Sequence, residues 1–371
     1  MRIIHLILGK ANPDRANGVN KVVHQLSQAQ AKLGHRVAIW GITPNPEEET
    51  NLAERGLPTF SFEAKKLPFQ IDGALRDKLQ QEPADTYFHI HGGFVTEFYT
   101  VTRILKKQGN KYCISSHGTY NRLAMERSPL KKKYYFKFFE SQILNDAEVV
   151  HLVGDSELVH CNKMHNTSNN WFFQNGMIPA EKEDISTNKE APIFGYCGRL
   201  NIEAKGLDLL LKGFEIYKTE MGGTGKLQLL GKGPDEAELK KQSAGYKSGK
   251  DISFEGPIFG EEKDAYFENF DCFIHSSRYE GMPTAVLEAI GMGLPVIVSE
   301  ATNLGRFVQK YQCGLVLHEN SPQEIAKALK KIEDLKMQET IVEYRRNAFR
   351  MIKEEFTWSF IAEKMVEKYA A

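Results

Sequence analysis

Glu280 and Glu288 stand at the ends of the segment Glu280-Gly-Met-Pro-Thr-Ala-Val-Leu-Glu288, a turn that runs into a helix. The apolar run Phe270-Asp-Cys-Phe-Ile-His-Ser-Ser ahead of it reads as a short buried strand, and residues 294–298, after Gly291 and Gly293, as the next one. The pattern predicts a helix over 283–290 with Pro283 at its first position, where a missing N–H costs nothing. A helix start offers unpaired N–H groups and the positive end of a dipole, so anionic groups dock there. At roughly 1.5 Å per residue, Glu288 lies about 7–8 Å along the axis from Pro283. A diphosphate on the helix start would then leave a sugar near Glu280 and a ribose near Glu288. The plainer alternative is two solvated glutamates, one in a turn and one on a helix.

Other residues of the second half share this chemistry. Arg199 and Lys205 follow a strand at 193–197 on one loop, where two cations could neutralise a diphosphate. Gly231-Lys-Gly233 follows a strand at 226–230, and Gly256-Pro-Ile-Phe259-Gly260 follows a short strand at 252–254. Each cation alone is an ordinary surface charge; their convergence at strand ends in one half of the chain favours a phosphorylated ligand. In the first half, His91 and His117 fall at the ends of strands at 86–91 and 111–115, where open parallel sheets bind ligands. Either histidine could equally be a satisfied structural residue. Gly18 precedes a helix carrying Val22, Val23, Leu26, Ala29 and Leu33, and is either a phosphate contact or a turn glycine. GxGxxG is absent between Gly9 and Gly18, which excludes a dinucleotide fingerprint there.

These positions rest on alternating strands and helices. The 371 residues are 41% hydrophobic and 26% charged, with 48 basic and 48 acidic side chains, so charge gives no argument for nucleic acid. Five scattered cysteines argue against a disulfide framework and for a reducing, cytoplasmic setting. The N-terminus reads as a strand and no stretch is long and apolar enough to span a bilayer. There is no Asp-x-Asp and no zinc spacing, so a site without metal or resident cofactor is expected; GxSxG and the P-loop are absent as well. The polar, charged stretch 180–192 marks a linker. The expected architecture is α/β, with two Rossmann-like, doubly wound domains facing across a cleft. Their bounds are 1–180 and 192–355, with a linker at 181–191 and a closing helix at 356–371 whose Trp358, Ile361, Met365 and Tyr369 form one stripe.

A predicted long helix over 129–147 carries Lys131, Lys132 and Lys133 with Tyr134, Phe138 and Gln142 on one face and Tyr135, Phe139 and Ile143 on the next. It reads as a core face with solvated lysines or as a basic, aromatic surface for an anionic membrane or a lipid-linked acceptor.

The motifs EGMPTAVLEAIGMGLPVI (280–297), GRLNIEAKGLDLLL (198–211), LLGKGPD (229–235), SSHGTYN (115–121) and FQNGMIP (173–179) resemble those of retaining GT-B glycosyltransferases of family 4. The ending FTWSFIAEKMVEKY resembles that family's last helix, which crosses back onto the first domain. Where the family has Gly-Gly, this chain has Asn17-Gly18. The resemblance implies transfer of a sugar from a nucleotide-diphosphate donor, UDP-sugar before GDP-sugar, to a glycan or lipid-linked hydroxyl in cell-envelope or polysaccharide synthesis. It implies Arg199 and Lys205 on the diphosphate, Glu288 on the ribose, Glu280 on the transferred sugar and His117 near the anomeric carbon. It also puts backbone N–H groups around Met282, Pro283 and Thr284, with Gly18, on the phosphates, and Gly256 to Phe259 near the base. Gly231 belongs to the same donor site. The alternatives are a small soluble acceptor or an inactive nucleotide-sugar binder.

Overall fold

The structure is a computed structural model that describes residues 1–9, 18–46, 56–121, 125, 128–166, 168–179, 185–280 and 282–370. The chain divides into two compact units, Met1–Gly176 with Trp358–Ala371, and Met177–Thr357. Residues 185–190 of the expected linker carry neither helix nor strand, and 181–184 lie outside the described residues.

Among the described residues the first unit builds one seven-stranded sheet. Its strands are β1 (Arg2–Leu8), β2 (Arg36–Thr43), β3 (Thr59–Glu63), β4 (Tyr87–His91), β5 (Tyr112–Ser115), β6 (Val149–Leu152) and β7 (Asn170–Phe172), in the order β3-β2-β1-β4-β5-β6-β7. All these pairings are parallel. Parallel sheets are covered on both faces, which is why β1 is a near-continuous apolar run with Ile3, Ile4, Leu6 and Ile7 buried. Helices α1 (Gly18–Lys32), α2 (Gly73–Gln81), α3 (Thr96–Gln108), α4 (Pro129–Tyr135), α5 (Ser141–Asp146) and α6 (Asp155–Met164) complete the alternation. Trp40 centres one face, edge-on to Phe60, Phe62 and Phe88.

The single helix expected over 129–147 is interrupted. A π-helical turn, Phe136–Glu140, joins α4 to α5. Its wider winding rotates the faces. Tyr135 and Phe139 pack with Phe69, and Glu140 is carried into the core, whereas Tyr134 and Phe138 remain exposed.

The second unit repeats the principle with a six-stranded sheet among the described residues. Its strands are β8 (Ile193–Cys197), β9 (Lys226–Leu230), β10 (Ile252–Gly256), β11 (Cys272–His275), β12 (Val296–Ser299) and β13 (Gly314–Leu317), ordered β10-β9-β8-β11-β12-β13 and all parallel. Its helices are α7 (Leu207–Thr219), α8 (Glu236–Ala244), α9 (Gly260–Asn269), α10 (Thr284–Gly291), α11 (Gly305–Tyr311), α12 (Pro322–Met337) and α13 (Ile341–Met351). α10 begins one residue later than the sequence suggested. Pro283 is its N-cap, in extended backbone (φ −72°, ψ 115°), and the Pro283 carbonyl accepts from Val286 N–H at 3.1 Å.

The last helix, α14 (Trp358–Ala370), belongs to the first unit although it follows the second in sequence. Its buried stripe is the one the spacing indicated: Trp358, Ile361, Met365 and Tyr369 join a cluster with Ile3, Val22, Leu26 and Tyr87. Tyr369 stacks on Tyr87 with ring centroids 4.3 Å apart.

Candidate functional site

In the second unit the order β10-β9-β8-β11 brings together the loops that leave these four strands. The loop after β8 is stiffened by a helical turn, Ile202–Lys205, capped by Asn201, whose side chain accepts from Ala204 N–H. The Asp235 carboxylate accepts from Ile202 N–H at 2.7 Å. This holds Lys205 against the loop after β11, where its Nζ forms an ion pair with Glu280. Arg278 locks the same two loops together: its backbone N–H donates to the Ala204 carbonyl at 2.9 Å, and its guanidinium grips Asp208 through two bonds.

Glu280 is largely enclosed, its side chain 20% exposed. Burial alone would raise its pKa, but the hydrogen bond from His275 Nε2 (3.4 Å) and the Lys205 charge outweigh it and lower it to about 2. Burial lowers the pKa of His275, so at neutral pH a neutral imidazole donates to an ionised carboxylate. Asn303 Nδ2 donates to the Glu280 carbonyl at 3.2 Å.

Arg199, on the same loop as Lys205, is exposed, and its side chain makes no hydrogen bond or ion pair among the described residues. Gly231 sits at φ 135°, and a Cβ there would run into the Gly198 carbonyl oxygen. The loops after β8 and β9 thus lie backbone against backbone. Gly231 N–H donates to the Gly256 carbonyl at 2.6 Å, which ties in the loop after β10. Beyond Gly256 the Phe259 ring is 64% exposed at the N-cap of α9. Met282 and Pro283 are buried and Thr284 is exposed at the start of α10; Gly281 lies outside the described residues. One turn on, Glu288 pairs with Lys263 of α9 at 2.9 Å.

The structure therefore gathers Arg199, Lys205, Gly231, Gly256, Phe259, Glu280, Met282, Pro283, Thr284 and Glu288 at the strand ends of one unit. It also adds His275, Lys263 and Asn303, which sequence reasoning passed over. His275 closes the apolar run before Glu280 and could have been found there. Lys263 and Asn303 reach their partners only through tertiary folding and leave no local signal.

Gly18 and His117 belong to the first unit. Gly18 is the exposed first residue of α1, with open space where a Cβ would be. His117 follows β5 in left-handed backbone, φ 50°, and is half-buried. Its Nε2 lies 3.0 Å from His91 Nδ1. Behind it stand three histidines that the sequence scatters, His5, His89 and His91, with ring nitrogens within 4.8 Å of one another. All six of those nitrogens already have hydrogen-bond partners, so a metal ion there would have to displace them.

Comparison with known proteins fits this geometry. The model for glycosyl transferases group 1 matches residues 177–350, and that for glycosyltransferase family 4 matches residues 16–166. An uncharacterized glycosyltransferase of Methanocaldococcus jannaschii, MJ1069, is 29% identical over 47% of this chain, a match that spans 43% of that relative's length. The O-antigen chain mannosyltransferase C of Escherichia coli is 22% identical over all of this chain and 97% of its own length. Among solved structures, Anabaena Alr3699/HepE in complex with UDP superposes with a TM-score of 0.74 over the full length of both chains at 16% identity. The same protein has been solved with UDP-glucose. The chain belongs to the group 1, family 4 glycosyltransferases and has the GT-B fold.

Proposed function

We propose that this protein is a retaining, metal-independent glycosyltransferase that moves a sugar from a nucleotide-diphosphate donor, a UDP-sugar before a GDP-sugar, to a hydroxyl acceptor. The observation that carries this reading is the pairing of Lys205 with Glu280 beside the unpartnered Arg199 and the helix start at Thr284. A diphosphate arriving there meets one free guanidinium, one ammonium already aimed by a carboxylate, and the N–H groups of α10. Arg199 and Lys205 stabilise the charge that develops on the leaving diphosphate, so no metal or resident cofactor is required. Glu280 takes hydroxyls of the transferred sugar, Glu288 those of the ribose, and Phe259 lies by the base. Glu280 is tied to Lys205 and His275, which suits hydroxyl binding rather than nucleophilic attack. The acceptor then attacks on the face the leaving group departs from, through an oxocarbenium-like transition state. His117 meets the sugar, and Gly18 the phosphates, in the roles that the motif resemblance implies.

The UDP complexes of the structural neighbour support the choice of base, and the O-antigen transferase among the relatives supports an acceptor in cell-envelope or polysaccharide synthesis. A peripheral, cytoplasmic-face location follows if the acceptor is lipid-linked. The exposed Tyr134 and Phe138 beside Lys131, Lys132 and Lys133 would meet an anionic surface. The test is a panel of UDP-, GDP- and ADP-sugars assayed by slow hydrolysis without acceptor. A UDP-sugar should be consumed fastest; binding of a donor with no cleavage of any would overturn the transferase reading.

A further inference from the structure

Two hydrogen-bonded chains of histidines run through the core of the first unit, each ending on an oxygen that can only accept. The second chain has one fixed end. It begins at the Phe173 carbonyl, which can only accept, so His151 donates to it from Nε2 at 2.9 Å. A neutral His151 then has a lone pair on Nδ1, and the Ser115 hydroxyl donates to it at 2.6 Å. With its one proton committed, Ser115 Oγ accepts from His89 Nε2–H at 2.5 Å. His89 Nδ1 is left as an acceptor and receives the Tyr369 hydroxyl proton at 2.7 Å. The Tyr369 oxygen therefore presents only lone pairs to its other neighbours.

The first chain has a fixed end of its own: Gln30 Oε1, an amide oxygen that can only accept, lies 2.7 Å from His5 Nε2. From there the first chain has one consistent reading. His5 donates from Nε2 to Gln30, His91 donates from Nε2 to His5 Nδ1 at 2.9 Å, and His117 donates from Nε2 to His91 Nδ1 at 3.0 Å. Every member must be neutral for this, and burial lowers the pKa of each: His5 to about 4, His117 to about 3, His151 to about 4, and His89 and His91 well down.

We propose that Gln30, His5 and His91 are positioning residues that hold His117 as its Nε2–H tautomer. His117 Nδ1 is thereby kept as a hydrogen-bond acceptor for a hydroxyl of the transferred sugar. That last step rests on the transferase reading; the tautomer does not.

The primary measurement is therefore made on the unliganded, full-length protein. Long-range proton–nitrogen correlation on 15N-histidine protein, with the His117 signals assigned by their loss in His117→Gln, should show an unprotonated Nδ1 and a protonated Nε2 at neutral pH. An Nδ1–H tautomer, or an even mixture, overturns the proposal whatever the enzyme's activity. In Gln30→Leu the His117 tautomers should mix and donor hydrolysis should lose roughly ten-fold in kcat, with KM for the donor within two-fold of wild type, on the scale of a lost hydrogen bond. A variant with the wild-type tautomer and kcat would remove Gln30, and with it the chain, from any positioning role.

Discussion

Lys205 Nζ and Glu280 Oε2 close an ion pair between residues 75 positions apart in sequence, joining the loop after β8 to the loop after β11. The pair preorganises an ammonium at the strand ends and gives it a partner that is ionised at every working pH. Removing Lys205 therefore has two separable consequences. Lys205→Ala should lower donor turnover by roughly two to three powers of ten. It should also lower the melting temperature, because Glu280 is left as an unpaired, enclosed charge. The double variant Lys205→Ala with Glu280→Gln should recover the melting temperature and not the turnover. Recovery of both would show that Lys205 supports the fold alone.

Arg199→Ala is the complementary case. Its side chain has no partner among the described residues, so melting should be unchanged while donor turnover falls by roughly two to three powers of ten. Hydrolysis at the wild-type rate would remove Arg199 from the diphosphate. Donor hydrolysis by wild-type enzyme should likewise survive EDTA; a strict requirement for a divalent ion would count against the proposed electrostatics.

Gly231 and Gly256 both lie at positive φ, 135° and 81°, yet they should respond differently to alanine. At Gly256 a Cβ meets open space, so only the left-handed backbone cost of about 1 kcal/mol is expected. At Gly231 the Cβ also displaces the Gly198 carbonyl, and with it the loop that carries Arg199. Gly231→Ala should lose nucleotide binding by calorimetry where Gly256→Ala retains it. Equal binding in both would mean that the loops after β8 and β9 separate freely.

Acid should destabilise the first unit through its histidines. His5 and His151 have folded pKa values of about 4 against 6.5 unfolded, both lowered by burial. Below pH 6.5 the unfolded state binds protons that the folded state does not, so stability is full above that value and is lost as pH falls toward 4. Urea midpoints followed through Trp40 and Trp171 fluorescence should drop across that window; a flat profile would contradict neutral imidazoles in the core.

Glu140 has the opposite sign. Burial raises its pKa from 4.5 to about 7, against the Tyr120 hydroxyl and Phe94 N–H that donate to it. The folded state binds the extra proton, so stability from this group is full below 4.5 and lost as pH rises through 7, by about 3 kcal/mol at most. Glu140→Gln should raise the urea midpoint at pH 8 and leave it unchanged at pH 4. No gain at pH 8 would mean that the carboxylate is already accommodated as an anion.

Much of this was legible in the chain, for identifiable reasons. Buried parallel strands are apolar on both faces, so β1, β8 and β9 announce themselves, and the stripe on α14 follows from helical spacing alone. β7 spans three half-buried residues and β3 adjoins a polar stretch, so neither offers a run long enough to read. The π-helical turn at Phe136–Glu140 was invisible, because one extra residue per turn changes the phase of a helix without changing its composition. At the site, residues tied to glycine-rich strand ends were readable. The histidine chains were not, since His5, Gln30, His91 and Tyr369 are brought together only by sheet order and by the return of the last helix.

That return also orders events during synthesis. The second unit is continuous in sequence and has all its residues once Thr357 has been made, whereas the first must await the final helix emerging from the ribosome. Until then Val22, Leu26 and Tyr87 lack their cover and the Tyr369 end of the histidine chains is missing. Nascent chains that stop at Thr357 would thus carry all the residues of the second unit and an incomplete first one, with exposed apolar surface suited to capture by chaperones.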